Sequence, residues 1–94
     1  MERNKIMCLL EAQGYPTFMM EKTADKVENF SPQLKEAFEN WVEYGEEPTL
    51  EMEGYSYHIL IEKFKMNPIG AFVTLDWIHR EPELAVKSLK RGIK

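Results

Sequence analysis

The chain is poor in the residues from which most catalytic and metal sites are built. Cys8 is its one cysteine, and His58 and His79 are its two histidines. A single thiol closes no disulfide within the chain and cannot found a multi-cysteine zinc site, which fits a reducing compartment. Long apolar runs are missing too. Glu2, Arg3 and Lys5 precede only five apolar residues, Ile6 to Leu10, too few for a signal-peptide core and far too few to span a bilayer. A cytoplasmic protein with no membrane partner is expected. There is no glycine-rich phosphate loop, and the acids between Glu46 and Gly54 lack the aspartate spacing and central glycine of a calcium loop. No motif implies a cofactor, a metal or an identifiable small-molecule ligand.

The scarcity extends to catalytic sets. A nucleophile needs a base within hydrogen-bond reach and a third group to orient that base. Cys8 sits in the apolar run Met7-Cys8-Leu9, which reads as a buried, inert thiol. His58 and His79 fall on separate helical segments with no metal-ligand spacing between them. A non-enzymatic protein with no catalytic residue is expected.

What is present is the material of one helical domain. Ninety-four residues, 44% of them hydrophobic and 12% aromatic, suffice to build a core without staples. The apolar spacing predicts a mainly α fold, a compact bundle of four to five short helices spanning residues 1–94, with 31–94 as the core bundle and 1–30 as an N-terminal helical region. Ser31-Pro32 opens the clearest amphipathic pattern: Leu34, Ala37, Phe38, Trp41 and Val42 recur at helical intervals until Gly45. Helices are also expected over about 2–13, 17–29, 56–65, 68–80 and 82–91. Asn67-Pro68 pairs a good N-cap with a proline at the first helical position, where its missing N–H is not needed. Near 49–53, Leu50 and Met52 alternate with glutamates. One short extended segment fits there, with no second run of matching period to pair with it.

The stretch 60–75, LIEKFKMNPIGAFVTL, resembles the helix-turn-helix pattern. Ile61 and Phe64 fall where the first helix packs, Met66 in the turn, and Ala71 and Leu75 where the second helix docks. The resemblance implies a nucleic-acid-associated regulator that uses the hairpin at about 56–80. Two departures stand against it. Lys65 occupies the turn position where glycine is common, and the second helix lacks polar residues to read base edges. Ile69, Phe72, Val73 and Trp77 on one side and Ala71, Leu75 and Ile78 on the other make that helix apolar nearly all round, as a central buried helix would be.

The charges are unevenly spread. Between Glu28 and Glu53 eight acids stand against Lys35 alone, whereas Arg80, Lys87, Lys90, Arg91 and Lys94 form a basic patch at the end of the chain. Acids first and bases last along 81–91 complement a helix dipole. Asp76 and Arg80, four residues apart, are placed to pair across one turn. The function favoured by these features is a protein–protein interaction module, most simply a homodimer, because the apolar faces exceed what one small bundle covers. Candidate interface residues are Phe18, Met19 and Met20, an adaptable apolar cluster, and Gly70 and Thr74, a stripe of small side chains. Nucleic acid is the alternative partner, through the hairpin or the basic terminal helix. A small-molecule pocket of Trp41, Phe72 and Trp77 has no polar constellation to name its ligand.

Overall fold

The computed structural model describes residues 1–92. Ile93 and Lys94, placed by the sequence beside the last helix and in the basic patch, lie outside the described residues. Helices α1 (Arg3–Ala12), α2 (Thr17–Glu28) and α3 (Pro32–Tyr44) precede a hairpin of β1 (Glu51–Met52) and β2 (Tyr55–Ser56). Helices α4 (Tyr57–Glu62), α5 (Pro68–Arg80) and α6 (Pro82–Gly92) follow it. The fold is mainly α, with six helices rather than four to five among the described residues. Helix α1 lies along α2, and α5 runs through the middle, against α3, α4, α6 and β1. None of the described helices is long and apolar enough to cross a membrane.

Each helix buries the stripe its spacing sets. In α2 these are Met20, Thr23, Ala24 and Val27; in α3, Leu34 and Phe38; in α5, Ile69, Ala71, Phe72, Leu75, Asp76 and Ile78. Helix α1 buries Ile6 and Leu10, one turn apart. Cys8, halfway between them, is therefore turned about 200° away and is exposed rather than buried. Leu84 likewise points out of α6, which buries Ala85 and Leu89.

The ends are set by local chemistry. Gly14 takes φ 82°, so Tyr15 N–H donates to the Leu10 carbonyl and Gly14 N–H to that of Glu11, both at 3.0 Å. This Schellman arrangement stops α1 and aims Tyr15 back at the core. Asn67 caps α5 as expected, its Oδ1 accepting from Gly70 N–H at 2.7 Å. Ser31 does not cap α3 with its hydroxyl. Instead, its own N–H donates to Asp76 Oδ1 at 3.0 Å, so a carboxylate from α5 stands at the start of α3.

The extended segment does find a partner. Glu51 pairs with Ser56 and Met52 with Tyr55, because Glu53 (φ 53°) and Gly54 (φ 82°) both enter the left-handed region and close a two-residue turn. The expected start of α4 at residue 56 is thus the end of β2, and Ser56 Oγ caps the helix by accepting from Ile59 N–H at 3.2 Å.

Lys65 holds φ 58° between α4 and α5, which lets Met66 N–H reach the Leu60 carbonyl at 3.2 Å. The position thus has the backbone that glycine supplies in related turns. A left-handed L-residue carries a cost of about 1–2 kcal/mol, part of which glycine's greater freedom in the unfolded chain offsets. Lys65→Gly is therefore expected to stabilise the protein by about 0.5–1 kcal/mol, seen as a higher urea midpoint at unchanged slope.

Candidate interaction groove

Helices α2 and α5 do not close on each other along their whole length. Between them runs an open groove with Asp25, Lys26 and Asn29 on the α2 side and Val73, Thr74, Trp77 and Arg80 on the α5 side. Trp77 and Val73 are half-buried, so the groove has an apolar floor between charged walls. The floor exists because α5 is apolar nearly all round while α3, α4 and α6 cover only part of its circumference. The walls are held by ion pairs, one from α1 and one within α5. Arg3 on α1 donates to Asp25 Oδ1 at 2.8 Å and also to Glu28 Oε1, and Arg80 Nε lies 2.9 Å from Asp76 Oδ2. The i, i+4 pair expected from the sequence is thus formed.

The candidate interface residues separate in space. Phe18, 79% exposed, and Met19, 42% exposed, project from the first turn of α2 into solvent, whereas Met20 is a core residue. Successive helical residues diverge by about 100°, and the stripe that carries Ala24 and Val27 inward carries Met20 with it. Thr74 lies in the groove, its hydroxyl donating to the Gly70 carbonyl at 2.8 Å. Gly70 lies under Tyr15 of the same chain, whose hydroxyl would sit 3.8 Å from a Cβ added there. That hydroxyl donates to Asn67 Oδ1 at 2.8 Å, tying the α1–α2 turn to the start of α5, and burial raises its pKa above the usual tyrosine value.

Trp41 and Phe72 meet ring to ring, with centroids 5.7 Å apart, while Trp77 faces the groove. The three do not enclose a common pocket. The helix-turn-helix-like hairpin is present as α4 and α5, but α5 is held in the core by Ile69, Phe72, Leu75 and Ile78. Of the basic patch, Arg80 is engaged by Asp76. Lys87, Lys90 and Arg91 are exposed on α6 and form no ion pair among the described residues.

The acidic stretch is partly answered within the chain. Arg3 takes Glu28, and Lys5 takes Glu43 at 2.8 Å, holding that carboxyl below the usual range. His58 lies 3.5 Å from Glu47. The basic residues of α1 were legible as charges, but their partners, about 20–40 residues away in sequence, were not. The α2 wall of the groove was missed because Asp25, Lys26 and Asn29 have only the polarity of any solvated helix face.

Fold and groove together define a class: a mainly α-helical protein with an amphipathic cleft beside its central helix. No family model, curated protein or solved structure matches the chain.

Proposed function

We propose that the protein is a non-enzymatic protein–protein interaction module that works as a homodimer through the α2/α5 groove and the apolar end of α2. The observation that carries this reading is paired: a phenylalanine 79% exposed on α2 and a tryptophan-floored groove open on the same helix. Each leaves apolar surface in water, and each is the kind of feature that association covers. Tryptophan and aromatic anchors in partly desolvated clefts dominate binding energy, whereas charged rims contribute chiefly orientation.

Light scattering coupled to size-exclusion chromatography tests the reading. A dimer mass is expected at both low and high salt, because an apolar interface is not screened. A monomer mass at every concentration overturns it.

A second reading, a nucleic-acid-associated regulator, is favoured by one observation. Lys87 and Arg91, one turn apart, and Lys90 beside them leave the outer face of α6 basic and without internal ion pairs among the described residues. Retention on mixed-sequence DNA that falls steeply with salt, and is lost when these three are neutralised together, distinguishes it.

A further inference from the structure

We infer that α1 and α2 form a hinged lobe that swings as one body on α3–α6, turning about the Asn29–Phe30 link and latched at its tip by Tyr15. The inference goes beyond the homodimer reading and does not rest on it. Helix packing divides the described residues into two groups: α1 lies along α2, whereas α3, α4, α6 and β1 gather on α5. The seam between the groups is parted on both sides of α2. On one side lies the groove shared with α5, and on the other a cleft lined by Ile6, Val27, Phe30 and Phe38. The lobe itself is stiff. Arg3 of α1 donates to Asp25 Oδ1 at 2.8 Å and to Glu28 Oε1, both on α2, and the turn at Gly14 closes on the carbonyls of Leu10 and Glu11.

The hinge is marked by where each residue's bonds lead. Asn29 N–H donates to the Asp25 and Lys26 carbonyls, and its Nδ2 to that of Asp25 at 2.7 Å, so Asn29 moves with α2. Phe30 belongs to the body. It is buried with its ring edge-on to Phe38 at 5.7 Å, and the next residue, Ser31, gives its N–H to Asp76. The backbone bond that crosses the link, Phe30 N–H to the Val27 carbonyl, is long at 3.3 Å. The 12 residues of α2 put the tip about 18 Å from this hinge. There the Tyr15 hydroxyl donates to Asn67 Oδ1 at 2.8 Å, the one side-chain hydrogen bond between tip and body among the described residues. A turn of about 10° moves the tip by about 3 Å, enough to break that bond while Phe30 keeps its place. Burial of Ile6, Leu10, Met20 and Val27 favours closure, and Lys5, 2.8 Å from Glu43 of α3, adds an exposed ion pair of small weight. The lobe is thus a lid whose swing sets the width of the α2/α5 groove, and Tyr15 fixes where it rests.

Paired spin labels on the full chain read the swing. In a Cys8→Ser background, which removes the exposed native thiol, labels at Gln13→Cys and Lys63→Cys, both exposed sites, span tip and body. Labels at Glu11→Cys and Lys22→Cys, also exposed, lie within the lobe. Dilution into unlabelled protein removes distances between copies. The tip-to-body pair is expected to show a main distance and a longer minor one, and the pair within the lobe a single distance. Tyr15→Phe keeps the ring and the Asn67 cap of α5, and is expected to enlarge the longer population about two- to tenfold, the loss of one hydrogen bond. A single tip-to-body distance in both proteins, or a longer population that Tyr15→Phe leaves unchanged, overturns the latched lobe. So does a within-lobe distance that spreads along with that of the tip, because α1 and α2 would then unfold rather than swing. The homodimer reading stands or falls on the chromatographic mass, which none of these results changes.

Discussion

Phe72→Ala is expected to destabilise the protein by about 3–5 kcal/mol, the cost of deleting a fully enclosed phenyl ring. For a chain of 94 residues that is a large part of a total stability of about 5–14 kcal/mol. The side chain has no exposure, and it is the centre of an aromatic cluster drawn from three helices. Phe38 of α3 stands nearly perpendicular to it at 5.1 Å, Tyr57 of α4 lies at 5.5 Å, and Trp41 of α3 at 5.7 Å. Edge-to-face rings of this kind add to the area they bury. Truncation leaves a cavity walled by rings whose backbones belong to different helices, so collapse around it requires α3 and α4 to move together. Phe72→Leu keeps most of the apolar volume and is expected to lose only about 1–2 kcal/mol. Urea unfolding of the two variants checks both values. If Phe72→Ala costs no more than Phe72→Leu, the ring contacts do not hold α3 and α4 to α5.

How much of this was legible before the structure follows from where each signal is encoded. Helix α3 could be read because Leu34, Phe38 and Trp41 recur at one period along one segment. The Asn67-Pro68 start of α5 could be read because a cap is completed within three residues. The near-uniform apolarity of α5 correctly placed it at the centre. The hairpin was not legible, since two-residue strands have no periodicity to detect and Glu53-Gly54 is a weaker turn signal than asparagine-glycine. Cys8 was misjudged by composition: its neighbours are apolar, but the helix turns it away from Ile6 and Leu10. Phe18, Met19 and Met20 formed one cluster in sequence and two environments in space, because successive residues of α2 diverge by about 100° and only Met20 falls on the buried stripe with Ala24 and Val27. The groove lay beyond local reading altogether. It is set by the failure of α2 to close on α5, and no residue on either helix records which neighbour it will lack.

Asp76→Ala is the second large effect, expected to cost about 2–4 kcal/mol, and its ordering against two neighbours identifies the cause. Asp76, 7% exposed, is the one buried carboxylate among the described residues. Its Oδ1 accepts the Ser31 N–H at 3.0 Å, immediately before α3, and its Oδ2 faces Arg80 Nε at 2.9 Å. A hydrogen bond to a charged group contributes about 1.5–3 kcal/mol, and a negative charge at a helix start about 0.3–1 kcal/mol more. Alanine removes both. It also leaves the Ser31 N–H without an acceptor beside Ser31 Oγ, which is already buried without a partner among the described residues. Asparagine keeps an oxygen for the Ser31 N–H but gives up the charge, so Asp76→Asn is expected to cost about 1–2 kcal/mol. Arg80 is about half exposed, and water replaces most of what it loses. Arg80→Ala is therefore expected to cost less than about 1 kcal/mol. Urea midpoints for the three variants should fall in that order. If Arg80→Ala matched Asp76→Ala, the ion pair along α5 would be the stabilising element, and the clamp between α5 and the start of α3 would not.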